Sequence, residues 1–194
     1  PFIIHAVFDL NSIVSEFEKL IEILQYLKQK EIIIHPICTS ENFSSYSTNK
    51  LAEYIKIVNK RLLENGITLY IENNSKPDSI FYLSDDVQYV FSNVGNVQFI
   101  LDIAHIDDYD HLSKLITIKK PNLLHVADRN FNIPHEHIEI GKGNIDFKKV
   151  FTEILIEEDY RIILEIPGYD EVKRSKEKIV NILNEKRNLT TAST

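Results

Sequence analysis

Short, strongly apolar runs recur along this chain, and six of them lead into a residue type that binds metals. They precede His5, His35, Glu72, Asp102, His125 and Glu165 as FII, III, LYI, FIL, NLL and IIL. The six residues are spaced by 30, 37, 30, 23 and 40 positions, room for a strand, a loop, a helix and a return loop in each unit. Runs such as Ile32-Ile33-Ile34 and Ile162-Ile163-Leu164 are too apolar for a strand with one wet face and suit a parallel sheet covered on both sides.

Between the runs the apolar period changes from strand-like to helical. After a strand at Phe2 to Ala6, the segment from Ser12 to Gln29 places Ile13, Phe17, Leu20, Ile21, Leu24 and Leu27 at offsets of three and four, a helix with one buried face. A second unit follows, with a strand at Ile32 to Ile37 and a helix from about Thr48 to Asn65 stopped by Gly66. The third strand, Thr68 to Glu72, leads through Asn73-Asn74-Ser75 and Pro77 to a helical stretch ending near Asn93. The fourth, Val97 to Ile103, precedes a short helix around Asp110 to Ile116.

A fifth strand spans Leu123 to Ala127. From Asp128 to Asn144 no helical period exists, and so long a loop in a compact domain tends to be functional. Within it Gly141-Lys142-Gly143 lacks the ending of a phosphate loop and reads as a tight turn. A helix from about Asp146 to Glu158, a strand from Arg161 to Ile166 and a helix from about Asp170 to Arg187 complete one domain over residues 1–187, with a flexible polar tail at 188–194.

Strict βα alternation means an α/β fold with a parallel sheet and right-handed crossovers. An open doubly wound sheet and a barrel both fit. In the open sheet only the strands at one crevice need polar ends, whereas in a (β/α) barrel all strand ends face one mouth. Six ligand types at six strand ends favour the barrel, TIM-barrel-like, with six visible βα units where a full barrel has eight.

Composition narrows the function. The 194 residues are 43% hydrophobic and 26% charged, as in an ordinary soluble domain. The single cysteine, Cys38, forms no intrachain disulfide, and no run reaches the ~20 residues of a membrane span, so a cytoplasmic protein with no membrane partner is expected. Asn188-Leu189-Thr190, a glycosylation match, carries no weight there. A net charge of −7 points to a small substrate rather than nucleic acid.

The candidate ligands are His5, His35, Glu72, Asp102, His105, His125, His135, His137 and Glu165; of the seven histidines only His111 lies away from a strand end or the loop beyond it. Imidazole mixed with carboxylate suits zinc, manganese or cobalt better than magnesium or calcium. A lone histidine at a strand end is more often solvated than metal-bound; six such coincidences shift that balance. His135 and His137, two apart in an extended loop, are expected to point the same way. Phe8 belongs either to the core or to the mouth, lining a substrate.

In order along the chain, HAVFDLNS, IIIHP, YIEN, LDIAH, HVAD, HEHIEIGKGNIDF and LEIPG resemble the xylose isomerase-like barrels, the superfamily that includes sugar isomerases and epimerases and endonuclease IV. The resemblance covers nearly the whole chain and implies that its first strand corresponds to the family's third. It also implies a metal-dependent enzyme holding one to three divalent ions.

In the isomerase and epimerase branch, Glu72, Asp102, His125 and Glu165 would hold one ion. Glu72 and Glu165 would move a proton on a sugar or sugar phosphate, and His105, His137 and His135 would meet substrate. In the endonuclease IV branch, His5, His35 and Glu72 would hold a second zinc ion, and His105 and His137 would serve a third for cleavage of DNA at abasic sites. This chain has Asp102-Ile103-Ala104-His105 where that enzyme usually carries DTCH, and His135 where it carries an aspartate. These departures and the charge favour the isomerase branch, the nuclease standing as the alternative. A third reading is a degenerate or partial barrel, or one whose open edge is covered by a homo-oligomer.

Overall fold

The computed structural model describes residues 2–38, 45–156 and 160–191. Six strands, β1 (Ile4–Asp9), β2 (Glu31–Ile37), β3 (Thr68–Glu72), β4 (Gln98–Asp102), β5 (Leu123–Val126) and β6 (Arg161–Leu164), form one sheet in sequential order, every adjacent pair parallel. Helices α1 (Ile13–Tyr26), α2 (Ser45–Glu64), α3 (Ser84–Asn93), α4 (Tyr109–Ile118) and α6 (Tyr169–Thr191) alternate with them. Between β5 and β6 the expected helix is instead a single turn, α5 (Phe147–Lys149), running into a π turn over Val150–Ile154. Asp146 caps that turn through the Lys149 N–H, and Val150 and Phe151 are buried under it.

The apolar spacing reads correctly on α1 for Ile13, Phe17, Leu20, Ile21 and Leu24, which are buried, whereas Leu27 falls just past the end of the helix and is exposed. Gly66, at φ 68, ends the turn after α2 in a conformation that glycine adopts without steric cost. The last helix passes Arg187 and reaches Thr191. No described helix is long and apolar enough to cross a membrane.

The sheet is strongly curved. In a flat sheet β1 and β5 would stand about 19 Å apart at the usual strand spacing, yet the rings of His5 and His125 are 5.2 Å apart. On the opposite end, Arg161 of β6 holds both carboxylate oxygens of Glu31 on β2 at 2.7 and 2.8 Å, and Tyr70 of β3 donates to the same carboxylate. Contacts across so many strands require a barrel-like curl, which decides against the open doubly wound sheet.

Curling separates two cores. The larger lies between sheet and helices and includes Ile32, Ile34, Leu69, Ile71, Phe99, Leu101, Leu124 and Val126. The smaller fills the concave face with Ile33, Tyr70, Ile100 and Leu123, flanked by Ile3 and Ile163. Because strand side chains alternate between faces, the residue two positions after each of these six points to the same concave side. Those residues are His35, Glu72, Asp102, His125, His5 and Glu165.

Candidate metal centre

Four of the six lie where the sequence pattern puts them. Glu72 and Asp102 end β3 and β4, His125 is the last residue but one of β5, and Glu165 follows β6 directly. His5 and His35 do not end their strands: β1 and β2 continue past them, paired to Asp9 and Ile37. A histidine does not break a ladder whose bonds are all main chain, so the polar residue marked the concave face there and not the strand's end.

Register explains why residues at different depths in their own strands still meet. His5 is level with Ile33, Glu72 with Ile100 and His125 with Ile163, so His35, Asp102 and Glu165 each stand two residues further along the neighbouring strand. A step of two preserves the side-chain face, and the stagger follows the strand tilt of a barrel.

The side chains gather into three ligand sets whose donor atoms lie within 4.8 Å of one another: His5, His35 and Glu72; Glu72, Asp102, His125 and Glu165; and Asp102, His105 and His137. In the first, His5 Nε2 and His35 Nδ1 stand 2.8 and 3.5 Å from Glu72 Oε2. In the second, His125 Nδ1 is 2.9 Å from Glu72 Oε1, 3.0 Å from Glu165 Oε2 and 4.0 Å from Asp102 Oδ2. In the third, Asp102 Oδ2 is 3.2 Å from His137 Nε2 and 3.6 Å from His105 Nε2. Glu72 thus gives one oxygen to each of two sets, and Asp102 joins the second to the third.

Several features fit a divalent cation. Glu72 Oε2 is buried without a hydrogen bond although His5 Nε2 is 2.8 Å away; donor atoms that crowd without hydrogen-bond geometry suit a shared ion. Burial opposes the charge of Glu72, but the rings of His125, His35 and His5 crowded around it hold its carboxyl well below the usual range. Burial likewise opposes a charged His125, yet Glu165 and Glu72 push its ring up to about 11. Asp102 similarly outweighs burial at His137 and raises it to about 9. Carboxylates sealed this far from water demand positive charge, which protons or metal ions can supply.

His135 and His137 diverge. His137 Nδ1–H donates to the His135 carbonyl, which turns Nε2 towards Asp102. His135 has φ 55, and this left-handed residue breaks the alternation expected of an extended loop. Its Nε2 goes instead to Ser75 Oγ at 2.9 Å and Asp78 Oδ2 at 3.0 Å, beside the third set but outside it. Phe8 is buried in the larger core, on the opposite face of β1 from His5. The apolar pattern held no sign of Asn73, Ser75 and Asp78, because polar residues after a strand read as an ordinary turn.

A family model described as "Xylose isomerase-like TIM barrel" matches residues 10–185. The chain belongs to this family. Among solved structures, it resembles a D-tagatose 3-epimerase-like protein with a TM-score of 0.79 at 22% identity, covering 97% of this chain and 79% of that one. It also resembles endonuclease IV from Thermus thermophilus with a TM-score of 0.68 at 16% identity, covering 95% and 76%. In sequence it is 27% identical over 130 residues to the uncharacterized protein MJ1614 of Methanocaldococcus jannaschii, a match that covers 66% of this chain and about half, 51%, of that relative. This xylose isomerase-like chain is therefore shorter than the relatives it matches.

Proposed function

We propose that the chain is a divalent-metal-dependent isomerase or epimerase of a small sugar or sugar phosphate. The observation that carries this reading is the convergence of two glutamates on His125, Glu72 at 2.9 Å and Glu165 at 3.0 Å. Glu72 is sealed from solvent, and 37% of the Glu165 side chain is exposed. A bound ion would supply Lewis-acid polarisation of the substrate's oxygen atoms. Glu72, Asp102, His125 and Glu165 would hold it. Moving a hydrogen between neighbouring carbons, or inverting one carbon, needs a base and an acid on either side of the reacting centre. Glu165, reachable from the mouth, would take the proton from the carbon beside the carbonyl and pass it to solvent; Glu72, reaching in from β3, would return one that it first receives from solvent through His5, whose Nε2 stands 2.8 Å from Glu72 Oε2. The likeness to the D-tagatose 3-epimerase-like protein supports the same branch.

The test is solvent-deuterium incorporation and product analysis across a panel of ketoses, aldoses and their phosphates with manganese, cobalt or zinc. Exchange and interconversion are expected, and Glu165→Gln should lower them about 10²–10⁴-fold. No turnover with any substrate and metal would sink the reading.

One observation favours a second reading. Glu72 and Asp102 each belong to two ligand sets, and linked ions are the arrangement that activates water and neutralises a phosphodiester in its transition state. Zinc-loaded protein would then nick a duplex containing an abasic site, and the same duplex left intact would exclude it. Metal analysis separates the readings independently: one tightly bound ion fits the isomerase, three the nuclease.

A further inference from the structure

We propose that Asn73 is the positioning residue that couples the ligand sets, fixing Asp102 through its side chain and His105 through its main chain. The β3–β4 ladder ends with Glu72 level with Ile100, two residues short of Asp102. Beyond that point the Asn73 side chain continues the pairing. Its Oδ1 accepts the Asp102 N–H at 2.7 Å, and its Nδ2 donates to the Asp102 carbonyl at 3.1 Å. One carboxamide thus makes both hydrogen bonds of a missing ladder rung, which leaves the main chain after β3 free to turn away into the 3-10 turn at Lys76–Asp78.

The main-chain carbonyl of Asn73 has a second partner. It accepts the Nδ1–H of His105 at 2.8 Å. A carbonyl can only accept, so the bond selects the Nδ1–H tautomer and leaves the Nε2 lone pair facing Asp102 Oδ2, 3.6 Å away. Asn73, Asp102 and His105 are all buried, at 0%, 0% and 2% exposure, so water does not compete for these bonds.

Asn73 also follows Glu72 directly. The first and second ligand sets share Glu72, the second and third share Asp102, and His105 belongs to the third, so this one buried residue touches the supports of all three. The chemistry requires an amide: aspartate keeps the acceptor but loses the donor to the Asp102 carbonyl, and alanine loses both.

The inference rests on the metal-binding reading of the three sets, and on neither choice of reaction. Its test compares full-length wild type, Asn73→Asp and Asn73→Ala, with folding checked by circular dichroism. Cobalt titrations are followed by visible absorption, and zinc stoichiometry is read by elemental analysis after equilibrium dialysis. Both variants are expected to bind metal about 10–100-fold more weakly, the typical effect of removing a supporting hydrogen bond, and to show an altered cobalt spectrum.

Long-range nitrogen NMR of the wild-type histidine rings provides a readout that needs no variant. The neutral His105 ring should carry its proton on Nδ1. An Nε2–H tautomer in the wild type would overturn the proposal even if neither variant folds, as would unchanged affinity and spectrum in folded variants. Wild type that binds no metal would instead remove the metal-binding reading itself.

Discussion

At the scale of single residues, the candidate site is arranged to exchange protons for metal. His125 and His137 are raised to about 11 and about 9, and His35 is also raised because the Glu72 carboxylate outweighs its burial. In the metal-free protein the His125 and His137 rings are charged at neutral pH, so metal binding should release on the order of one to two protons. Isothermal titration in buffers of different ionisation enthalpy measures that number; a value of zero would contradict the arrangement. The sign for stability follows from the same shifts. The raised His125 contributes fully below its ordinary value of 6.5 and less as pH climbs towards about 11, while the lowered Glu72 contributes above 4.5 and is lost in acid. Melting temperature of the chelator-treated protein should therefore fall between about pH 6.5 and 10, and zinc should flatten that slope. Glu72, Asp102, His125 and Glu165 were legible in the sequence because each follows an apolar run on a strand that ends there. Asn73 was not, since its value lies in two hydrogen bonds to a residue 29 positions away.

At the scale of elements, the loop after β5 shows how a segment without periodicity is made rigid. Both carboxylate oxygens of Asp128 accept main-chain N–H groups, those of Arg129 and Ile145 on one oxygen and those of Gly141 and Gly143 on the other. A Cβ at Gly143 would stand 2.4 Å from both the Arg129 carbonyl and Asp128 Oδ1, closer than carbon and oxygen tolerate. Gly143→Ala should cost about 2 kcal/mol or more in urea unfolding and weaken metal at the third set, because His137 rides on this loop. Wild-type stability in the variant would show that the turn yields easily. The loop is also tied to α6, where Arg174 and Lys178 hold the buried Glu139 carboxyl down to about 2. A lowered carboxyl stabilises above its ordinary 4.5 and stops doing so as pH falls through about 2. Protection factors of the amides in residues 139–143, taken relative to the intrinsic exchange rate at each pH, should then fall as pH drops towards about 2, and Glu139→Gln should abolish that step. The sequence marked this loop as functional but could not show its folding, because Asp128 organises it through backbone bonds that any residue offers. The short π turn after α5 escaped for a related reason: an apolar helical period does not distinguish a regular helix from a wider turn.

At the scale of the whole molecule, the concave sheet ends in two edges, β1 and β6, neither paired with a further strand among the described residues. Val7 on β1 is 58% exposed. The alternation of strands and helices was legible throughout, and curvature was inferred from the even spread of polar strand ends, which a flat sheet would leave up to ~24 Å apart. What holds the curl is side-chain contact across the lumen: the Glu31–Arg161 pair at one end and the ligand sets at the other. His5 of β1 and Glu165, directly after β6, come within 3.8 Å, so the site spans the two edges. Metal bound there links β1, β2, β3, β4, β5 and β6 through their side chains and should stabilise the barrel as a unit. Free metal at one hundred times its dissociation constant adds about 2.7 kcal/mol for one site. Hydrogen exchange with and without zinc tests the distribution of that gain. Protection is expected to rise at β1 and β6 as well as near the ligands, because releasing either edge breaks a ligand set. If protection rose only in the loop at residues 128–146, the ions would be local ornaments on a barrel that holds its shape without them.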